Sequence, residues 1–100
     1  MYVDLALAKE HLRIEPEYTG QDRLILQYIA QAELMVELDI HEDLSTFEDG
    51  EGKLPKPLEG AILLLMATYY NSEGNIAFGV IKQELPMYDH IISKYRNYSK

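Results

Sequence analysis

A chain of 100 residues with 47% apolar side chains, a net charge of −8 and no cysteine is sized for one compact core, and it excludes a disulfide framework and a thiolate metal centre. The acidity is concentrated in residues 1–50, with 12 Asp/Glu against 3 Lys/Arg, whereas residues 51–100 hold 5 against 6. Such a first half repels phosphate backbones, and no basic stripe with interleaved aromatics offsets it, so sequence-specific nucleic-acid binding is not expected.

The first element in chain order is a short amphipathic helix over residues 5–13, with Leu5, Ala8 and Leu12 at offsets 0, 3 and 7 and Asp4 as its N-cap. Residues 1–12 lack the basic start and apolar run of a secretory signal, so export is not expected. Pro16 breaks the helical pattern, and residues 17–20 read as a connection. Thr19 followed by Asp22 resembles a capping box and opens a long helix to about Leu38. Ile25, Tyr28, Ile29, Ala32 and Val36 form its core face, and Gln21, Gln27, Gln31 and Glu33 supply polar surface. Leu24, Leu34, Met35 and Leu38 widen its apolar stripe beyond what one neighbour covers, which implies a second contact surface.

Residues 39–56 are acidic, hold Gly50 and Gly52, and show neither helical nor strand periodicity. They read as a long loop, mobile in the isolated subunit and free to contact another one, with Phe47 as its single apolar anchor. Residues 58–70 follow as a helix that is apolar all round and therefore central and covered on every side. Its apolar run, residues 61–67, is far shorter than the roughly 20 residues that cross a bilayer, so no membrane partner is expected. Gly60, early in that helix, suggests close approach of a neighbouring backbone. Residues 76–85 combine Phe78, Val80 and Ile81 around Gly79 without a helical period and read as an extended arm closed by Pro86. Tyr88, Ile91, Ile92 and Tyr95 then match a fourth helix at offsets 0, 3, 4 and 7, with Lys94 and Arg96 near its C-terminal dipole. The expected fold is all-α: a small four-helix domain with a long acidic loop between helices 2 and 3 and a short extended arm before helix 4.

Groups that carry chemistry are dispersed. His11, His41 and His90 lie on three separate segments with no paired metal-ligand spacing. The acidic stretch from Asp39 fails as a calcium loop, because Leu44 stands where a glycine is needed and Gly50 where a glutamate is needed. No nucleophile elbow or phosphate-binding glycine loop is present. We therefore expect no catalytic residues, no metal and no cofactor. Eight tyrosines are many for this length, and their mix of apolar area and a wettable hydroxyl suits subunit contacts as well as core packing. Tyr69 and Tyr70, with Phe78, Val80 and Ile81 of the arm, are the candidate subunit-interface residues.

Four stretches together carry a likeness: KEHLRI at residues 9–14, Asp22 at the start of the second helix, LPKPLEGAILLLMATYY, and ELPMYDHIISKYRNY near the end. The chain resembles the head-tail connector family of long-tailed phages and prophages over nearly its whole length. The resemblance implies a structural subunit in the virion neck, assembled in the host cytoplasm into a homo-oligomeric ring beneath the portal. It further implies a lengthened DNA channel, and the portal protein and a tail-completion protein as partners. The strongly acidic middle segment, and Met87 and Tyr88 after the proline, depart from the commoner pattern. An alternative of another class is a small acidic helical regulator or inhibitor of a basic protein, for which the charge of the first half is the supporting feature.

Overall fold

The computed structural model describes residues 1–71 and 86–98. Among the described residues there are four α-helices and no strand: α1 (Leu5–Leu12), α2 (Asp22–Ile40), α3 (Lys56–Asn71) and α4 (Pro86–Tyr98), with a 3-10 turn over Leu44–Phe47 between α2 and α3. This is the all-α, four-helix architecture expected from the periodicity. The extended arm expected at residues 76–85 lies outside the described residues.

The centre is α3. Leu58, Ala61, Ile62, Leu63, Leu65, Met66 and Tyr69 are buried around most of its circumference, with Leu64 and Tyr70 half-buried on the remaining side. Its largest interface is with α2, and α4 and α1 also pack against it. The face of α2 that meets it consists of Ile25, Tyr28, Ile29, Ala32 and Val36, the stripe read from the sequence. Tyr28 and Tyr69 lie across this interface with ring centroids 6.1 Å apart. On α4, Tyr88 and Ile92 are buried and Ile91 and Tyr95 pack at the margin.

Helix ends show how local chemistry sets the boundaries. Asp4 caps α1, its carboxylate accepting from the Leu7 N–H at 2.8 Å. Arg13 then adopts a left-handed conformation (φ 61°), and the N–H groups of Arg13 and Ile14 close on the carbonyls of Glu10 and Lys9. The capping box expected at Thr19 and Asp22 is not formed: Gln21 is the N-cap with no side-chain cap bond, and Thr19 accepts the Asp22 N–H through its backbone carbonyl instead. Lys9 takes the role of tying this end down. Its ammonium is buried, 2.7 Å from the Asp22 carboxylate and 3.2 Å from the Pro16 carbonyl, so α1, the connection and α2 are fastened at one point.

The loop expected at residues 39–56 is corrected at both ends and in the middle. α2 continues to Ile40 and ends on His41 in the left-handed region (φ 59°), and α3 begins at Lys56. Between them Leu44, Phe47 and Leu54 are buried in the core, Leu44 at 2% and Phe47 at 9% exposure. Phe47 stacks edge-on against Tyr95 of α4 at 5.3 Å. The polar residues are ordered by their own carboxylates: Glu37 accepts the Leu44 N–H at 3.1 Å, and Asp49 accepts the N–H groups of Glu51 and Lys53 at 2.7 and 3.0 Å. Those two amides hold the Asp49 carboxyl below the usual carboxylate range. Three well-spaced apolar anchors and a set of local carboxylate caps thus replace the periodicity that the segment lacks.

Two smaller expectations also change. Nothing lies within 4 Å of where a Cβ on Gly60 would stand, so no neighbouring backbone requires glycine there. The fourth helix starts at Pro86 itself, which sits in its first turn, where a missing N–H costs nothing.

The burial of Phe47 gives a direct test of the segment. Phe47→Ala should destabilise the chain by about 3 kcal/mol in denaturant unfolding, and the Leu44 and Thr46 amides should exchange slowly with solvent. A change within about 0.5 kcal/mol, the range of ordinary surface substitutions, would return residues 39–56 to the status of a dispensable loop.

Candidate interaction surface

His11, His41 and His90 are exposed on separate elements, and among the described residues no group of three or more His, Asp or Glu side chains is arranged to hold a metal ion. No helix among them is long and apolar enough to cross a membrane. The carboxylates of α2 instead hold other parts of the chain. Glu33, read from the sequence as polar surface, accepts the N–H groups of both Tyr2 and Val3, at 2.7 and 3.0 Å, and so draws Val3 into the core.

The principal buried polar cluster joins α2, α3 and α4. Asp39, which the sequence places at the start of an acidic loop, is a buried residue of the last turn of α2. Its carboxylate accepts the Tyr88 hydroxyl at 2.5 Å, and its backbone carbonyl accepts the Arg96 Nε–H at 2.8 Å. Arg96 thereby caps the C-terminal end of α2 rather than serving only its own helix, and the positive charge meets the negative end of the α2 dipole. Burial, then the bond to Asp39, pushes the Tyr88 hydroxyl pKa well above the usual tyrosine value. Burial, then the Asp39 charge, pushes that of Tyr69 up to about 12. The cluster is a structural lock between helices, built from buried side chains.

The expected interface residues fall in different places. Tyr69 is buried in its own subunit against Tyr28. Tyr70 is half-buried, its hydroxyl donating to the Gln21 side chain, and retains surface to offer a partner. Phe78, Val80 and Ile81 lie outside the described residues.

Apolar surface faces outward elsewhere. On α2, Leu24, Leu34 and Leu38 are exposed and, with Gln27 and Gln31, follow a seven-residue rhythm on the side away from α3. Of the four residues read from the sequence as a second contact surface, Leu24, Leu34 and Leu38 are exposed, whereas Met35 packs against the subunit's own core; Leu34 and Leu38 line a groove with Glu37, His41, Glu42 and Asp43. A second groove runs between the start of α3 and the outer side of α4, lined by Pro57, Met87, His90, Ile91, Lys94 and Tyr95. A third follows α1, where Leu5, Ala6, Ile14 and Pro16 flank the Lys9–Asp22 pair. Exposed apolar residues grouped in this way mark contact sites more often than isolated ones do.

A family model described as phage gp6-like head-tail connector protein matches residues 2–96. No curated protein and no solved structure matches the chain.

The raised tyrosine pKa values set an alkaline limit on the helix lock. A group whose pKa is raised in the folded state contributes fully below its unfolded value, about 10 for tyrosine, and loses that contribution as pH rises through the folded value. Unfolding free energy should therefore hold steady up to about pH 10 and then fall by roughly 1.4 kcal/mol per pH unit for each such tyrosine. Tyr88→Phe should cost about 1–3 kcal/mol at neutral pH and should flatten the alkaline decline. An unchanged alkaline slope in that variant, measured by denaturant titration at each pH, would show that Tyr88 is not part of the lock.

Proposed function

We propose that this chain, which belongs to the phage gp6-like head-tail connector family, is a structural subunit of the virion neck whose copies close into a ring between the portal and the tail. The observation that carries the reading is the family match, because it spans residues 2–96 and so includes α1, α2, α3 and all but the last two residues of α4. The partners that follow are further copies of the chain, the portal protein and a tail-completion protein. Assembly takes place in the host cytoplasm before the tail is joined.

Three features support a scaffolding role. The helices are locked by buried polar contacts at Lys9–Asp22 and Asp39–Tyr88, which makes each subunit a defined building block. Apolar grooves remain on the outside of that block for neighbours to fill. The net charge of −8 suits a wall along which DNA must slide without adhering, since like charge keeps phosphates at a distance. The charge that motivates the acidic-regulator reading is partly spent inside the molecule, because Asp22, Glu33, Glu37 and Asp39 all serve internal bonds.

The arm at residues 76–85 enters this proposal as a subunit contact, with Tyr70 beside it. Light scattering and negative-stain microscopy of the chain, alone and with portal protein, should reveal rings. Phe78→Ser combined with Ile81→Ser should abolish them while far-ultraviolet circular dichroism stays helical. A parent chain that remains monomeric even on the portal would overturn the ring. A double variant that assembles normally would remove the arm from it.

A further inference from the structure

Two outward faces of the chain carry opposite charge and share no residue. The first lies where α2 ends. Leu34 and Leu38, each 58% exposed and one helical turn apart, sit in a groove whose walls carry the carboxylates of Glu37, Glu42 and Asp43, with no lysine or arginine among the described lining residues. The second is the groove on the outer side of α4. Met87, 61% exposed, Ile91 and Lys94 fall at i, i+4 and i+7, so they form one stripe along the helix. Lys94 is exposed, and among the described residues no Asp or Glu lines that groove.

We propose that these faces meet, the α2 leucine face of one copy seating on the α4 groove of the next. The inference rests on the ring reading above and adds to it a second subunit contact, separate from the one proposed for residues 76–85. The argument is one of complementarity. Two acidic faces brought together by a two-fold axis would oppose three carboxylates with three more, and like charges at an interface are strongly disfavoured. The α4 groove instead offers an apolar stripe for the leucines and an ammonium for the carboxylates. This is the arrangement of apolar centre and charged rim found in specific interfaces. Because the two faces differ, each bound copy still presents one of each kind. The contact therefore repeats head to tail and closes when the rotation per subunit permits, whereas a self-complementary face would stop at a dimer. The cationic share of the contact falls to Lys94 because Arg96 is already bonded to the end of α2.

The absence of cysteine makes the contact testable by disulfide trapping in the full chain. Leu38→Cys and Met87→Cys are placed at exposed positions, so neither removes a core contact. Under mild oxidation the chain carrying both should give a ladder that extends past the dimer on a non-reducing gel. Each single variant should run on that gel as an uncross-linked single chain, and an equal mixture of the two singles should give a covalent dimer and nothing larger. Adding Lys94→Glu to the doubly substituted chain should reduce the ladder by about tenfold, and adding Glu42→Lys with Asp43→Lys to that should restore it. Three results overturn the proposal. Leu38→Cys alone cross-linking to dimers would mean that the acidic face packs on itself. A missing ladder while the unsubstituted chain still forms rings would mean that other surfaces build the ring, and the ring reading would stand. A ladder indifferent to Lys94→Glu would mean that the cross-link records collision rather than a charge-matched contact. If the unsubstituted chain forms no rings and no ladder appears, both readings fail together.

Discussion

Everything in this structure follows from the need to cover α3. A helix that carries Leu58, Ile62, Leu65, Met66 and Tyr69 around most of its circumference leaves only its Leu64 and Tyr70 side half-open to water, and the hydrophobic effect rewards any element that encloses the rest. α2 supplies the broadest cover, α4 and α1 close further sides, and the Leu44–Phe47 turn packs its two ends into the same core. The short elements have little helical stability of their own, since isolated helices below about 12–15 residues are marginal in water. They persist because α3 gives them something to bury.

Hydrophobic burial does not by itself choose where each cover sits, and here the carboxylates of α2 make that choice. Along one helix, Asp22 meets Lys9 of α1, Glu33 takes the amides of Tyr2 and Val3, Glu37 takes the amide of Leu44, and Asp39 takes the hydroxyl of Tyr88 on α4. Each of these is a directional, charge-assisted bond with little freedom of register. α2 thereby acts as a spine that indexes the N-terminal segment, α1, the 3-10 turn and α4 against the central helix. The same acidic residues that lower the charge of the chain are the pins of its fold.

For a connector subunit this division of labour has a consequence. The inside is settled by internal pairs, while the outer faces of α2 and α4 keep apolar side chains exposed. The exposed leucines of α2 and Met87 of α4 bury little in a lone subunit, whereas Ile91 and Tyr95, which also line the α4 groove, pack against its core.

Sequence pattern alone determined the elements whose signal is local and repetitive. The stripe of Ile25, Tyr28, Ile29, Ala32 and Val36, the all-round apolarity of residues 58–70, the Asp4 cap and the spacing of Tyr88, Ile92 and Tyr95 are periodic or adjacent in the chain, and each became a helix in the expected place. The four quoted stretches were also enough to reveal the family. Only the tertiary structure decided the rest, because the partners are far apart in sequence. Asp39 lies 49 positions from Tyr88 and 57 from Arg96, Glu33 lies 31 from Tyr2, and an acidic residue gives no local sign of whether it faces water or a distant donor. The ends of α1 and α2 were obscured for a related reason: Arg13 and His41 take the left-handed turn that glycine usually marks. The 3-10 turn has too few residues for a period, and Leu44, Phe47 and Leu54 became core residues only once α3 and α4 stood beside them.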